Sequence, residues 1–444
     1  PDAVEWPHFD PGRRAGRDPH VSPSRLIGRP VRKRGQGWLQ VTPMTFYVVV
    51  MVTVLNHIAF KGSKVLITLY AIDLEASVAE IGLLFSMYSL FPVFLSLYAG
   101  KMSDRYGFQM PMLIGSIGLM GGLLLPYLYP SLPTLYASAL IIGMCYIFYI
   151  VSVQHLIGSF GTGAARTRHF SHYSLGIGLT ALLGPTIAGF AIDSAGHSQT
   201  YLLLAFFPAL PILLLAIYPR VLPRLHGRKE KRDSQQKVMD LVRIVPLRRA
   251  LLTAGILETG SELANFLLPI YGHSIGLSAS QIGITMGVYA TALLAVRVLM
   301  PTLAKYSSEE RVLSYSLFFS AVACVAFPAV NGFLPLLLMA FVLGLGLGCG
   351  GPLSLVLAYN RAPDGRSGEA VGLRQTVNKA TEVVVPILFG SVSTALGMVP
   401  VFWIDAMMLA YGGALMRADA KEKGAAQPTP VVASVAQSSK GKPT

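Results

Sequence analysis

The chain has 444 residues, of which 53% are hydrophobic and only 13% charged, and its mean hydropathy is +0.55. An ordinary soluble globule carries about twice that share of charge, so a polytopic membrane protein is indicated. The net charge of +14 does not point to nucleic acid, because the basic residues are parcelled among short loops and not gathered on one folded domain.

Apolar runs of about 20 residues, enough to span a hydrocarbon core of roughly 30 Å as a helix, recur from Thr45 to Arg417. Twelve are expected, at 45–70, 81–100, 110–129, 132–157, 170–192, 201–218, 250–271, 282–303, 312–330, 333–359, 370–396 and 401–416. The fold class is therefore an all-α integral membrane protein. Its expected divisions are a disordered basic tail (1–43), a six-helix bundle (44–219), a polar linker (220–249), a second six-helix bundle (250–417) and a disordered tail (418–444). The cluster Arg29 to Arg34 suits anionic lipid, with a plain solvated tail as the other reading. No cleavable signal is expected, since a long polar stretch precedes the first run and Lys61 and Lys64 interrupt it.

Lys and Arg mark the cytoplasmic loops of membrane proteins. Here they occupy the first tail, Lys101 and Arg105, Arg166 and Arg168, the central linker, Lys305 and Arg311, Arg361 and Arg366, and the last tail. The alternate connections hold only Asp73, Glu75, Glu80 and Asp193. Both termini are thus expected in the cytoplasm.

Between the second and third runs stands a charged hairpin, Gly100 to Gln109, GKMSDRYGFQ. It resembles the signature of the major facilitator superfamily of secondary transporters, G-x-L-A-D-R-x-G-R-K, over Gly100, Met102, Ser103, Asp104, Arg105 and Gly107. Phe108 and Gln109 replace its usual basic pair. The resemblance implies two pseudo-symmetric six-helix bundles with a substrate site between them near the bilayer midplane. It also implies that Asp104 and Arg105 act on the gate and do not touch substrate. In the fifth run, Gly176, Gly184, Pro185 and Gly189 are similar to the Gly-Pro motif of the branches that export by antiport, with Ala188 in place of one glycine. Read from the residues alone, these are helix-contact glycines beside a proline bend. The fourth run carries Gln154 and His155 but no arginine, where proton-coupled exporters of the family have a basic residue. Likeness between the halves is faint: the segment 297–311, RVLMPTLAKYSSEER, lacks the Gly-Asp-Arg core.

Ionisable groups inside membrane spans are costly and tend to face a partner or a water-filled cavity. The first run carries His57, Lys61 and Lys64, and the seventh carries Glu258 and Glu262, each set on one helix face. The resemblance puts these two helices in equivalent places of the two halves, facing the cavity. Two readings of the glutamates compete: at least one carries protons, or Lys61 or Lys64 neutralises them as a lock between the halves. In the eleventh run Arg374, Asn378 and Glu382 form a stripe at four-residue spacing, with Lys379 beside it. The stripe contacts substrate, or Lys379 and Glu382 pair to hold the second bundle together. Arg297 and Asp405 are single charges, Asp405 expected to meet a neighbouring helix. Cations outnumber carboxylates in this set, which suits a carboxylate- or phosphate-bearing substrate.

Other patterns have plain readings. Gly346, Gly348 and Gly351 spell GxGxxG, but inside a membrane helix they are packing residues and no dinucleotide site. Cys145, Cys324 and Cys349 lack metal or disulfide spacing, and His155, His169 and His172 lack a carboxylate or thiolate companion. Tyr146, Phe148 and Tyr149 border a cavity or face lipid.

The expected function is proton-coupled efflux of a small organic solute by alternating access. Proton- or ion-coupled uptake of an organic anion is the alternative. No catalytic cluster or soluble domain suggests an enzyme, and no extracellular domain suggests a receptor. No cofactor, metal or nucleic acid is expected; the partners are the solute, protons and membrane lipids. A monomer in a bacterial inner membrane is expected.

Overall fold

The computed structural model describes residues 43–160, 164–217, 239–306, 308–363 and 366–426. In hydrocarbon a backbone must satisfy its own N–H and C=O groups, so apolar runs of this length fold as helices. The first half consists of α1 (Pro43–Asp73), α2 (Val78–Tyr106), α3 (Gln109–Leu128), α4 (Leu132–Ser159) and α5 (Ala164–Ile217). The second consists of α6 (Met239–Val242), α7 (Val245–Ser274), α8 (Ala279–Tyr306), α9 (Glu309–Ala326), α10 (Phe333–Leu347), α11 (Gly350–Asn360), α12 (Ser367–Leu396) and α13 (Met398–Ala426). Among the described residues there is no strand.

Ten of the described helical stretches are long and apolar enough to cross a membrane. One of them, His172–Ile217, is too long for a single pass, and Gly196, at φ 81°, breaks it where the chain turns back. Another, Phe333–Asn360, joins α10 and α11 across a bend at Gly348 and Cys349. The remaining expected pass is α7, which Glu258, Glu262 and Asn265 make less apolar than its neighbours.

Three expectations need correction. The charged hairpin is mostly helix: α2 runs through Tyr106 before Gly107, at φ 81°, ends it. Arg105 is exposed there and lies 5.3 Å from the centroid of the Tyr106 ring, while the side chain of Asp104 falls outside the described ones. The linker is shorter than 220–249, because α6 and the start of α7 occupy its last residues; 220–238 lie outside the described residues, as does nearly all of the tail 1–43. The last tail starts later than 418, because ion pairs extend α13 to Ala426. Asp419 accepts from Arg249 and Arg361, each at 2.6 Å, and Glu422 lies 2.9 Å from Arg249. Arg361 also reaches Glu310 at 3.5 Å, which joins the ends of α7, α9, α11 and α13.

The two halves are joined where α2 and α8 begin, and the join has a two-fold pattern that the sequence reading missed. Each helix opens with a serine N-cap and a reciprocal partner three residues on, Ser77 with Glu80 and Ser278 with Gln281. The free N–H groups behind these caps are taken by the opposite half. Asp193 of α5 accepts from the backbone of Ala279 and Ser280 at 3.0 and 2.9 Å, and Thr394 of α12 accepts from Ala79 at 2.9 Å. One turn further in, backbones touch. A Cβ on Gly283 would sit 2.5 Å from the Pro185 carbonyl oxygen, and one on Gly82 would sit 2.2 Å from that of Pro386. Pro185, Gly189 and Asp193 on α5 thus match Pro386, Gly390 and Thr394 on α12 in spacing and in partner. Gly184 faces the other way, its absent Cβ 2.8 Å from the Lys61 Cβ, so α5 is pressed onto α1 and α8 at once.

Gly82→Ala and Gly283→Ala are each expected to destabilise this join by about 1–3 kcal/mol through overpacking. A cysteine introduced as Ala79→Cys should then react faster with a membrane-impermeant maleimide. Unchanged reactivity in both variants would show that these glycines do not hold the halves together.

Candidate functional site

Between the halves lies a cavity of about 340 Å³. Its charged wall comes from α1 (His57, Lys61, Lys64), α7 (Glu258, Glu262), α8 (Arg297) and α12 (Arg374, Glu382). Helical periodicity explains the gathering: positions three or four apart share a face, and each of these faces is turned inward because a charge turned to lipid is costly. Apolar residues such as Phe85, Leu257, Met286 and Leu293 complete the wall.

His57 is buried on α1. It is 8% exposed, and its Nδ1 shares a hydrogen bond with the Tyr146 hydroxyl. Tyr146 stacks on Phe60, with centroids 4.2 Å apart, and on Tyr149 at 5.7 Å. Two members of the aromatic run therefore point inward. Phe148 instead packs against the exposed ring of Tyr98.

Lys64 crosses from one half to the other. Its Nζ lies 4.4 Å from the centroid of Phe85 and 5.9 Å from those of Phe60 and Tyr88, and 3.9 Å from Glu262 Oε2. That last distance is an ion pair without a hydrogen bond, and Glu262 Oε2 accepts none. Of the two lysines, Lys64 is the one that forms an ion pair with a glutamate of α7, and its charge also acts on Glu382 of α12. Lys61 lines the cavity with no hydrogen bond or ion pair among the described residues.

The polar stripe of α12 is divided among different partners. Arg374 donates from Nε and Nη2 to Ser354 Oγ, at 3.1 and 2.9 Å, and from Nη2 to the Gly351 carbonyl at 3.2 Å. Asn378 donates to Glu258 at 2.8 Å. Lys379 pairs with Glu382, which also accepts from Ser89 of α2 at 2.6 Å. Glu258 is left as the carboxylate with an amide partner and no ion pair among the described residues.

The remaining motif residues fall elsewhere. Gly100, Arg105 and Gly107 lie at the far end of α2, away from the cavity lining, as does the Asp104 backbone. Asp405 is buried on α13, where Cys324 of α9 is its neighbour at 3.4 Å. Among the described residues no group of His, Cys, Asp and Glu is arranged to hold a metal. The sequence reading named Arg297 but did not bring it into the site, and it missed Phe85, Ser89 and Asn265. Arg297 had a usable signal, since it shares a helix face with Met286, Tyr289 and Leu293.

A sequence profile described as Major Facilitator Superfamily matches residues 49–259 and again 250–440. The chain belongs to the Major Facilitator Superfamily. It is 24% identical over 353 residues to the multidrug resistance protein MdtG of Enterobacter lignolyticus (strain SCF1), covering 78% of this chain and 83% of that protein. To the quinolone resistance protein NorA of Staphylococcus aureus (strain MSSA476) it is 24% identical over 332 residues, with coverage of 72% and 83%. Solved structures share the fold. A peptide transporter POT aligns with TM-score 0.74 at 15% identity over 86% of this chain and 95% of its own. The nucleoside transporter NupG aligns with TM-score 0.70 at 13% identity, over 84% and 99%. This superfamily member is a multi-pass membrane transporter and not an enzyme.

Removing Lys64 takes away the ion-pair partner of the buried Glu262 carboxylate. Lys64→Ala is expected to cost roughly 3–5 kcal/mol of stability, and the Lys64→Ala, Glu262→Gln double variant to recover most of it. Thermal unfolding of the purified protein reads both. An additive double variant would show that the two residues do not interact.

Proposed function

We propose that the protein exports a small organic solute across a bacterial cell membrane by alternating access, in exchange for protons. One observation carries the coupling: Glu258 lines the cavity without an ion-pair partner among the described residues, whereas Glu262 faces Lys64 and Glu382 faces Lys379. A carboxylate on a water-accessible wall, one helical turn from a second carboxylate, is suited to taking up and releasing a proton. Glu262 and Lys64 act as the inter-bundle latch whose strength the state of Glu258 modulates. The resistance names of MdtG and NorA support export. The basic helix ends support both termini in the cytoplasm, so the join at the starts of α2 and α8 is the outer gate, and Asp104 and Arg105 belong to the inner one. Each chain holds a whole cavity, which supports a working monomer.

A second reading, proton-coupled uptake of an organic anion, is favoured by Lys61, Arg297 and Arg374, which line the cavity and among the described residues make no hydrogen bond or ion pair with a carboxylate.

In sealed proteoliposomes, Glu258→Gln is expected to abolish solute movement driven by a pH gradient while sparing solute exchange at equal pH. Glu262→Gln should slow both. Gradient-driven transport at the wild-type rate in Glu258→Gln would sink the carrier role. The direction of the imposed gradient that drives accumulation separates exchange with protons from cotransport.

A further inference from the structure

We propose that the cavity binds an organic anion, with the anionic group met by Arg297 and Arg374 and the apolar body lying against Met286, Leu293 and Leu257. The inference rests on the reading of this cavity as the transport site, but not on the direction of transport.

The argument is one of charge matching. Two of the cavity's carboxylates are already engaged by cations, Glu262 by Lys64 and Glu382 by Lys379. This leaves Lys61, Arg297 and Arg374 against the single carboxylate Glu258, which is itself held by Asn378. Walls of low dielectric strengthen the field of such an unbalanced set and raise the local concentration of anions.

The two arginines differ usefully. Arg374 is 7% exposed, and its guanidinium is oriented by Ser354 and the Gly351 carbonyl through Nε and Nη2, which leaves Nη1 without a described partner. An arginine oriented by neutral groups, with a donor to spare, is a pre-set receptor for a planar carboxylate. Arg297 is exposed on the cavity wall and carries no described hydrogen bond or ion pair. An arginine serving only to orient the protein in the bilayer would face headgroups or solvent. Arg297 instead continues the inward stripe of α8 through Met286, Tyr289 and Leu293. Lys61 lies deeper on α1, pressed between α5 and the cavity. Gly350 and Gly351 add close backbone walls beside Arg374, and Leu257 packs on Gly350. A solute with one carboxylate and a compact apolar body fits this arrangement; a cation would meet repulsion from three sides.

The test uses the full chain in lipid nanodiscs and two isosteric probes, 4-butylbenzoate and the neutral 4-butylbenzamide. Saturable binding is measured by calorimetry at neutral pH. The benzoate is expected to bind about tenfold or more tightly than the amide. Arg374→Gln and Arg297→Gln should remove that preference while leaving amide binding within about twofold, with Arg297→Lys retaining part of it. Arg297 makes no described contact that folding needs, so its variants report even where Arg374→Gln unfolds. Equal affinity for the two probes, no binding of either, or equal loss of both in the arginine variants would overturn the proposal. Flux in proteoliposomes separates the readings. Charge-selective binding without flux leaves the anion site standing and removes the transport role of the cavity; flux without charge preference does the reverse.

Discussion

Lys64 places one ammonium among the rings of Phe60, Phe85 and Tyr88 and within reach of Glu262 on the opposite half. A bare ammonium in hydrocarbon is costly, and the aromatic faces and the carboxylate offset that cost from different directions. The consequence is mechanical as well as electrostatic. Phe60 belongs to α1, Phe85 and Tyr88 to α2, and Glu262 to α7, so solvating Lys64 from one side requires that α7 stay close to the first half. On the proposed alternating-access reading, parting the halves exchanges this carboxylate for water. A tight, hydrogen-bonded pair would cost more to break, and the 3.9 Å separation avoids that.

The join at the starts of α2 and α8 works on the same principle with different groups. Helix N-termini present unsatisfied N–H groups, and each half satisfies those of the other. Asp193 does so with two charge-assisted hydrogen bonds, whereas Thr394 offers a single neutral acceptor at the matching position. The two contacts thus have unequal strength around a symmetric backbone frame. Pro185 and Pro386 matter through their carbonyls, which lie against Gly283 and Gly82 where no side chain would fit. Small residues permit the approach, and the caps make it favourable.

The sequence made legible what depends on local spacing. Runs of apolar residues located the passes, and the interval of four between Arg374, Asn378 and Glu382 put them on one face of α12. What it hid depends on residues far apart in the chain. Phe85 is unremarkable until Lys64 lies over it, and Ser89 until it meets Glu382. The same holds for the likeness between the halves. At the Gly-Asp-Arg hairpin the likeness is faint, yet Ser77, Glu80 and Gly82 match Ser278, Gln281 and Gly283, and the matching Pro and Gly positions recur on α5 and α12. The recurrence lies in contacts at the join and not in the loop that carries the family label. The hairpin itself was misjudged because charge was taken as a sign of loop, whereas α2 extends as helix until Gly107 supplies the positive φ that ends it.

The position of Glu258 ties the charge balance to the direction of transport. A proton on Glu258 removes the one carboxylate that opposes Lys61, Arg297 and Arg374, so by Coulomb's law a proton and an anionic solute favour each other in this cavity. Cotransport needs linkage of that sign. Exchange needs the opposite sign, in which the solute displaces the proton, and only a group that favours the ionised carboxylate supplies it. The Asn378 amide already donates to Glu258, so a solute oxygen that captured this donor would take support from the carboxylate and favour the proton, the cotransport sign again. Displacement requires a solute that brings a donor or a positive charge of its own to Glu258. On the proposed reading, exchange or cotransport therefore turns on what a bound solute presents to Glu258. An acceptor facing the arginines or Asn378 couples solute and proton in the same direction; a donor facing Glu258 sets them against each other.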